Sequence, residues 1–144
     1  MNIKHFFEVY SPKRLWRKIW LGLTCLPMLP QHRAKLLKLG GVNIKGRAYI
    51  YSGVSVDTVY PDCIHIGNNV AITAGTRILT HYLDPSKKGR IFRKGEVHIE
   101  DDVFIGLNVL ICNSVTIGKG AIIGAGSVVT KDIPANVIAV GNPC

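Results

Sequence analysis

The sequence lacks features that would indicate several common classes of protein. Its four cysteines, at positions 25, 63, 112 and 144, include no closely spaced pair, so we do not expect a zinc site. The apolar run over residues 19–29 is too short to span a bilayer, and it has no clear small-residue cleavage site of a secretory signal. We therefore expect reduced thiols and a cytoplasmic protein.

Acidic residues are almost absent from the first third of the chain. Residues 1–47 hold ten lysines or arginines and one acidic residue, Glu8, whereas the rest holds eight basic and eight acidic residues. The whole formal net charge of +9 therefore lies in the N-terminal segment. The sequence contains no recognisable nucleic-acid reading module, so we do not expect nucleic-acid binding.

The basic segment is predicted to be helical. Pro12 suits the first turn of a helix after Ser11, and a second helix is predicted over residues 31–39, before two glycines. We interpret residues 1–41 as a helical cap on the domain that follows. An alternative adds docking of the basic face of residues 11–38 to an anionic membrane surface. The first helix carries apolar residues at helical spacing: Leu15, Trp16, Ile19 and Leu23.

Branched aliphatic residues recur at every sixth position in the rest of the chain. A period of six fits neither a helix nor an ordinary strand, and it indicates a chain wound into a triangular prism with three hexads per coil. Residues 42–144 have room for about five coils, the last incomplete. The ladder positions are 44, 50, 56, then 66, 72, 78, then 99, 105, 111, 117, 123 and 129.

The ladder is interrupted twice. About four extra residues, around Tyr60 to Cys63, precede position 66 and are predicted to bulge outward. A longer excursion, over residues 82–98, is predicted to leave the prism as a loop rich in lysine and arginine. Loops on rigid scaffolds often carry function.

His81 stands where the coil ends and the predicted loop begins. Histidine is the side chain best suited to take a proton near neutral pH, although periodicity alone leaves a structural corner role equally open. A histidine base gains from a carboxylate that fixes its tautomer. We favour Asp57, predicted to lie in the neighbouring coil with Tyr60. Two alternatives are Asp84, which could instead cap a turn, and Glu96, which could pair with a loop lysine.

Two motifs stand out in the sequence, ITAGTRILTH at 72–81 and IIGAGSVVTKDIP at 122–134, and an Asp-Pro at 84–85 and a Gly-Asn-Pro at 141–143 accompany them. These residues resemble the hexapeptide-repeat acyltransferase family, in particular the maltose, galactoside and capsular-polysaccharide O-acetyltransferases. The resemblance implies an all-β fold, a left-handed parallel β-helix. It also implies a homotrimer with active sites between subunits and acetyl-CoA as the donor.

The resemblance also assigns roles to single residues. His81 would deprotonate the acceptor hydroxyl. Leu107 and Ala125 would offer backbone contacts to the pantetheine arm of the donor, and Thr130 and Lys131 would lie near its nucleotide end.

We therefore expect an O-acetyltransferase that modifies a sugar hydroxyl in surface-polysaccharide synthesis, with no metal. Tyr60, Tyr82 and the basic loop would contact the acceptor. Alternatives are an antibiotic or amino-sugar acceptor, and a non-catalytic scaffold. A third is a zinc hydratase similar to the γ-type carbonic anhydrases, which would need three convergent histidines. His65, His81 and His98 lie outside the close histidine pair expected of that group.

Overall fold

A computed structural model describes residues 11–112 and 114–144; residues 1–10 of the predicted cap lie outside them. Within the described ranges two helices precede the strands, α1 (Pro12–Leu23) and α2 (Pro30–Leu39). No helix in these ranges is long and apolar enough to cross a membrane. The strands are β1 (Asn43–Ile44), β2 (Ala48–Ile50), β3 (Ser55–Val56), β4 (Ile64–Ile66), β5 (Val70–Ile72), β6 (Arg77–Ile78), β7 (His81–Leu83), β8 (Phe92–Lys94), β9 (Val97–Ile99), β10 (Phe104–Ile105), β11 (Leu110–Ile111), β12 (Val115–Ile117), β13 (Ile122–Ile123), β14 (Val128–Val129) and β15 (Ile138–Ala139).

Three parallel sheets form the faces of the predicted prism. The first face has the order β1-β4-β9-β12, the second β2-β5-β10-β13-β15 and the third β3-β6-β11-β14. The chain visits the three faces in turn, so four coils are complete and a fifth begins. Partners Val97 and Val115 are 18 residues apart, which is three hexads. The step is 22 residues from Ile44 to Ile66, because four extra residues are accommodated there.

The ladder residues form the core of the prism. Each stacks on its partner in the next coil, as Ile78 does on Ile111 and Ile105 on Ile123. The ladder isoleucines from position 66 onward are at most 2% exposed. Burying one such side chain contributes about 1.5–3 kcal/mol. The stacked ladder therefore supplies a large part of the apolar core and fixes how consecutive coils align.

One prism edge, between the second and third faces, turns through residues with a left-handed backbone. We call it the glycine edge; it comprises residues 51–54, 73–76, 106–109 and 124–127. The left-handed positions are Gly53, Gly75, Asn108 and Gly126, with φ of 54° to 76°. Glycine and asparagine tolerate this conformation best. At Gly75 a Cβ would also meet the Oδ1 atom of Asn108, whose side chain would have to shift.

The excursion from the prism is an antiparallel hairpin, β7–β8, in which His81 lies opposite Lys94. The predicted loop over residues 82–98 extends too far at its C-terminal end. Val97 and His98 belong to β9, which pairs with β4 on the first face. Val97 is fully buried and occupies an inward position two residues before the ladder residue Ile99. The hexad count missed it because that count follows only one inward position per hexad.

The cap covers the first coil, with α2 packed on β2 and Leu37 only 1% exposed. The orientation of α1 differs from the expectation of an outward basic face. Arg14 lies over the ring of Tyr60, and Arg17 lies 3.6 Å from a carboxylate oxygen of Asp62. The basic side of α1 therefore faces the prism at these two positions. Much of the predicted apolar stripe faces solvent instead: Leu15, Trp16 and Ile19 are 58%, 59% and 49% exposed.

Candidate active site

The extra residues at both interruptions of the ladder leave from the same prism edge. We call this edge, between the third and first faces, the hairpin edge; its described residues are 57–63, 79–96, 112, 114 and 130–132. The short bulge follows β3 and the hairpin follows β6, and these strands are neighbours in register. The start of the hairpin therefore lies beside the start of the bulge, one coil away.

This arrangement brings His81 against Asp57. The Nδ1 atom of His81 lies 2.5 Å from Oδ2 of Asp57. The Asp57 side chain is 1% exposed, whereas that of His81 is 29% exposed. Because Nδ1 faces the buried carboxylate, the opposite nitrogen, Nε2, is the ring atom available to a molecule at the surface. Aspartate fixes a histidine tautomer in this way in catalytic triads.

Asp57 is held by hydrogen bonds from several donors besides His81. Its Oδ1 accepts from the backbone N–H of Val59 at 2.8 Å. Its Oδ2 accepts from both the backbone N–H and the hydroxyl of Thr80, at 3.1 and 2.7 Å. Burial alone would raise the pKa of Asp57, but the hydrogen bond with His81 and those from Thr80 and Val59 lower it overall. The carboxylate is therefore ionised at neutral pH, and it favours the His81 tautomer with its proton on Nδ1.

Aromatic rings and cations surround the exposed side of His81. The rings of Tyr60 and Phe92 lie edge-on to it, with centroids 6.0 and 5.7 Å away. Lys94 projects from the hairpin position opposite His81, and its Nζ lies 5.4 Å from the centroid of Tyr60. Arg14 lies 5.5 Å from the same centroid. A surface of this kind can stack against a sugar ring and attract an anionic group.

Tyr82 lies on the other side of the hairpin. Side chains alternate along a strand, so Tyr82 points away from the side that carries His81. It pairs instead with Arg93, whose guanidinium lies 5.1 Å from the Tyr82 centroid. Of the two tyrosines predicted to bind the acceptor, Tyr60 therefore lies next to His81 and Tyr82 does not.

The two alternative carboxylates have other contacts. Asp84 is buried and accepts hydrogen bonds from the backbone N–H and the hydroxyl of Ser86, as the turn-cap alternative predicted. These bonds lower the pKa of Asp84. Among the described residues, Glu96 lies at ion-pair distance from His65 and His98, and not from a loop lysine.

The four predicted donor-binding residues lie on two different edges. Leu107 and Ala125 are exposed on the glycine edge, and the backbone N–H of Gly126 donates to the carbonyl of Leu107. Thr130 and Lys131 follow β14 and lie on the hairpin edge, as His81 does. One chain therefore does not bring these two pairs together around His81.

Sequence reasoning missed several neighbours of His81. Thr80 is fully buried and orients Asp57, yet a threonine before a histidine carries no distinctive signal. Phe92 and Lys94 are placed beside His81 only by the register of the hairpin, and Arg14 reaches the neighbouring Tyr60 only through the packing of α1. Neither feature could be inferred from the hexad pattern.

Comparisons with known proteins agree with this architecture. A family model described as the hexapeptide repeat of succinyl-transferase matches residues 96–131. A maltose O-acetyltransferase from Clostridium difficile is 31% identical, with 92% of this chain and 83% of that chain covered and a TM-score of 0.71. A galactoside acetyltransferase solved with coenzyme A is 28% identical, with coverages of 95% and 80% and a TM-score of 0.69.

A third solved structure, a polySia-specific acetyltransferase, is 33% identical with a TM-score of 0.60. The match covers 71% of this chain and 49% of that chain. A search of curated proteins found no significant match. Together with the three parallel faces, these likenesses identify the fold as the predicted left-handed parallel β-helix.

Replacing Asp57 by asparagine should remove a pH-dependent contribution to stability. The pKa of Asp57 is lower in the folded protein than its ordinary value of 3.8. Its ionised form therefore stabilises the fold above that value, and this contribution is lost as the pH falls through the folded pKa. Urea unfolding between about pH 2 and 6 should show a steeper acid loss of stability in the wild type than in Asp57→Asn.

The matched control for this experiment is Asp62→Asn, because the Asp62 side chain is 49% exposed. It should keep the steep acid loss of the wild type. If the free energies of unfolding of the wild type and of Asp57→Asn fell in parallel as the pH was lowered, this would contradict the conclusion that ionised Asp57 stabilises the fold.

Proposed function

The chain belongs to the hexapeptide-repeat acyltransferase family and is an acyltransferase, and from this premise we propose that it transfers an acetyl group from acetyl-CoA to a sugar hydroxyl. The 31% identical maltose O-acetyltransferase and the 28% identical galactoside acetyltransferase, solved with coenzyme A, support both the donor and the class of acceptor. The observation on which the proposal chiefly rests is the contact between His81 and the buried Asp57 carboxylate.

His81 is the proposed general base. Its Nε2 would take the proton from the acceptor hydroxyl, while Asp57 holds the ring and stabilises the imidazolium that forms. The hydroxyl oxygen would form a bond to the carbonyl carbon of the thioester, and the bond from that carbon to sulfur would break. The proton on His81 would then pass to the leaving sulfur. A backbone N–H or side-chain donor would stabilise the oxyanion between these steps.

The positions of the donor-binding residues support a homotrimer. Leu107 and Ala125 lie on the glycine edge, whereas Thr130, Lys131 and His81 lie on the hairpin edge. If the hairpin edge of one subunit packs beside the glycine edge of the next, both sets face one cleft. A cyclic trimer repeats this heterologous contact three times and closes. The pantetheine arm would then lie along Leu107 and Ala125, with Lys131 at the nucleotide end.

The side of His81 away from Asp57 is the proposed acceptor site. Tyr60 would stack on the sugar, and Lys94 and Arg14 beside it favour an acceptor that carries negative charge. The role expected for Tyr82 has less support, because its ring lies on the other side of the hairpin. We place the reaction in surface-polysaccharide biosynthesis, with an antibiotic or amino sugar as the alternative acceptor.

We further propose a cytoplasmic location with peripheral contact at the inner face of the membrane through residues 11–38. The exposed side chains of Leu15, Trp16 and Ile19 on α1, followed by Leu26 and Leu29, support this contact. The adjoining lysines and the charge of residues 1–47 favour anionic lipid over neutral lipid. The apolar side of α1, rather than its basic side, would enter the interface.

Replacing His81 by alanine should lower kcat at least ~10²-fold, because the hydroxyl would lose its base. The assay follows thiol release from acetyl-CoA with maltose, a galactoside and oligosialic acid as acceptors. His32→Ala, in the exposed part of α2, is the matched control and should keep wild-type turnover. Equal turnover in His81→Ala would exclude His81 as the base, and failure of the wild type to bind CoA would overturn the proposed donor.

The trimer should appear as a particle of three times the 15.8 kDa chain mass in sedimentation equilibrium. The cleft needs two subunits, so a dilution series should lose activity together with the trimer. A fully active monomer would contradict the shared cleft.

Vesicles of phosphatidylglycerol and phosphatidylcholine should sediment the protein, and vesicles of phosphatidylcholine alone should not. The triple change of Leu15, Trp16 and Ile19 to serine should weaken binding at least ~10-fold, since each exposed side chain would bury apolar area worth roughly 1 kcal/mol or more. Leu83→Ser, which alters an equally exposed leucine on the hairpin, is the matched control. Unaltered binding by the triple variant would exclude α1 as the contact.

A further inference from the structure

A second cluster of titratable side chains lies on the first face, outside the candidate active site. His65 on β4 and His98 on β9 are direct partners in the parallel register. Their rings stack with centroids 4.5 Å apart and planes within 7°. Glu96, one residue before β9, places its Oε2 atom 3.4 Å from Nε2 of His65 and 3.3 Å from Nε2 of His98.

The spacing of these three atoms suits a small divalent cation. All three lie within 4.8 Å of one another. Zinc bonds of about 2.0–2.2 Å to nitrogen and oxygen give a tetrahedral site with ligand atoms about 3.3–3.5 Å apart. The two carboxylate-to-imidazole distances already have this length. Two histidines and one glutamate are also a ligand set that zinc accepts, with a fourth position left for water.

The burial of one of these three atoms, Nε2 of His65, also favours a metal site. Nε2 of His65 is inaccessible to solvent and makes no hydrogen bond, because its 3.4 Å contact with Glu96 lacks hydrogen-bond geometry. A buried nitrogen lone pair or N–H without a partner is unfavourable, and a metal bond would satisfy it. The side chains of His98 and Glu96 are 46% and 55% exposed, so an ion can enter from their side.

We propose that His65, Glu96 and His98 form a zinc-binding site on the first face of the prism. The stacked rings have nearly parallel planes, so their lone pairs do not yet converge on one point. Binding requires the rings to turn about their Cβ–Cγ bonds, and the half-exposed ring of His98 has the space to do so. The zinc ion would take one bond from each Nε2 and one from a Glu96 oxygen.

This site differs from the hydratase alternative. That alternative draws on His81, whereas Nδ1 of His81 contacts Asp57 on the hairpin edge. The proposed site has a structural consequence instead. Strands β4 and β9 belong to the two coils that flank the hairpin, and Glu96 lies two residues after Lys94. Bound zinc would therefore join these coils at the base of the hairpin, and it should raise the melting temperature by mass action.

The test is a zinc titration of untagged full-length protein by isothermal calorimetry, with melting temperatures measured in parallel. We expect one zinc ion per chain and a higher melting temperature on binding. His98→Ala and Glu96→Gln should each weaken the affinity at least ~10-fold, since removing even outer-shell partners of a metal costs 10–100-fold. His65→Ala should do the same, but the first two variants decide the question because their side chains are exposed and their loss spares the core.

His32→Ala is the matched control and should bind zinc as the wild type does. Cobalt replaces zinc as a spectroscopic probe; visible bands of a four-coordinate ion without sulfur-to-metal charge transfer would exclude the cysteines as ligands. The proposal is overturned if no zinc binds up to ~1 mM, the weakest affinity worth calling a site. Unchanged affinity in both His98→Ala and Glu96→Gln would overturn it as well.

Discussion

The stacking of inward branched residues from coil to coil is the constraint on which the rest of the structure depends. Ile78 must lie over Val56 and under Ile111 for the third face to form. Extra residues can therefore be accommodated only at an edge of the prism, where they do not shift the following ladder residues out of their stacking positions. Both insertions in this chain use the hairpin edge. The core thus decides where the site is built, although it contributes no catalytic group.

The contact between His81 and Asp57 shows how a polar group is placed on this apolar scaffold. Burying a carboxylate costs several kcal/mol unless hydrogen bonds replace its water. Asp57 receives such bonds from Thr80 in its neighbouring coil and from Val59 in its own bulge. Each donor is fixed by the ladder or by the four-residue bulge. The ionised carboxylate, and through it the His81 tautomer, is therefore a consequence of coil stacking.

The structural features that follow from the six-residue periodicity could be predicted from the sequence, and few of the other features could. Six-residue spacing was enough to predict the prism, its coil count and the proximity of Asp57 to His81, because stacked coils repeat every 18 residues, lengthened here to 22 by the four-residue bulge. It could not predict that Lys94 lies opposite His81, since an exposed hairpin has no apolar pattern to fix its register. It could not orient α1 either. Amphipathic spacing shows that a helix has two sides, but not which side Arg14 and Trp16 will face.

The hairpin is held chiefly at its base, where its first and last residues join the prism. These two attachment points lie beside the two side-chain clusters described above. Its tip is open to solvent, with Leu83 and Phe92 more than half exposed. At the base, His81 contacts Asp57, and the N–H of Gly95 donates to the carbonyl of Thr80 at 2.7 Å. Glu96 then turns toward the histidine pair on the first face. The position of Lys94 beside the base therefore depends on both anchors, so zinc at the proposed histidine site would act on the same short segment that borders the proposed acceptor site.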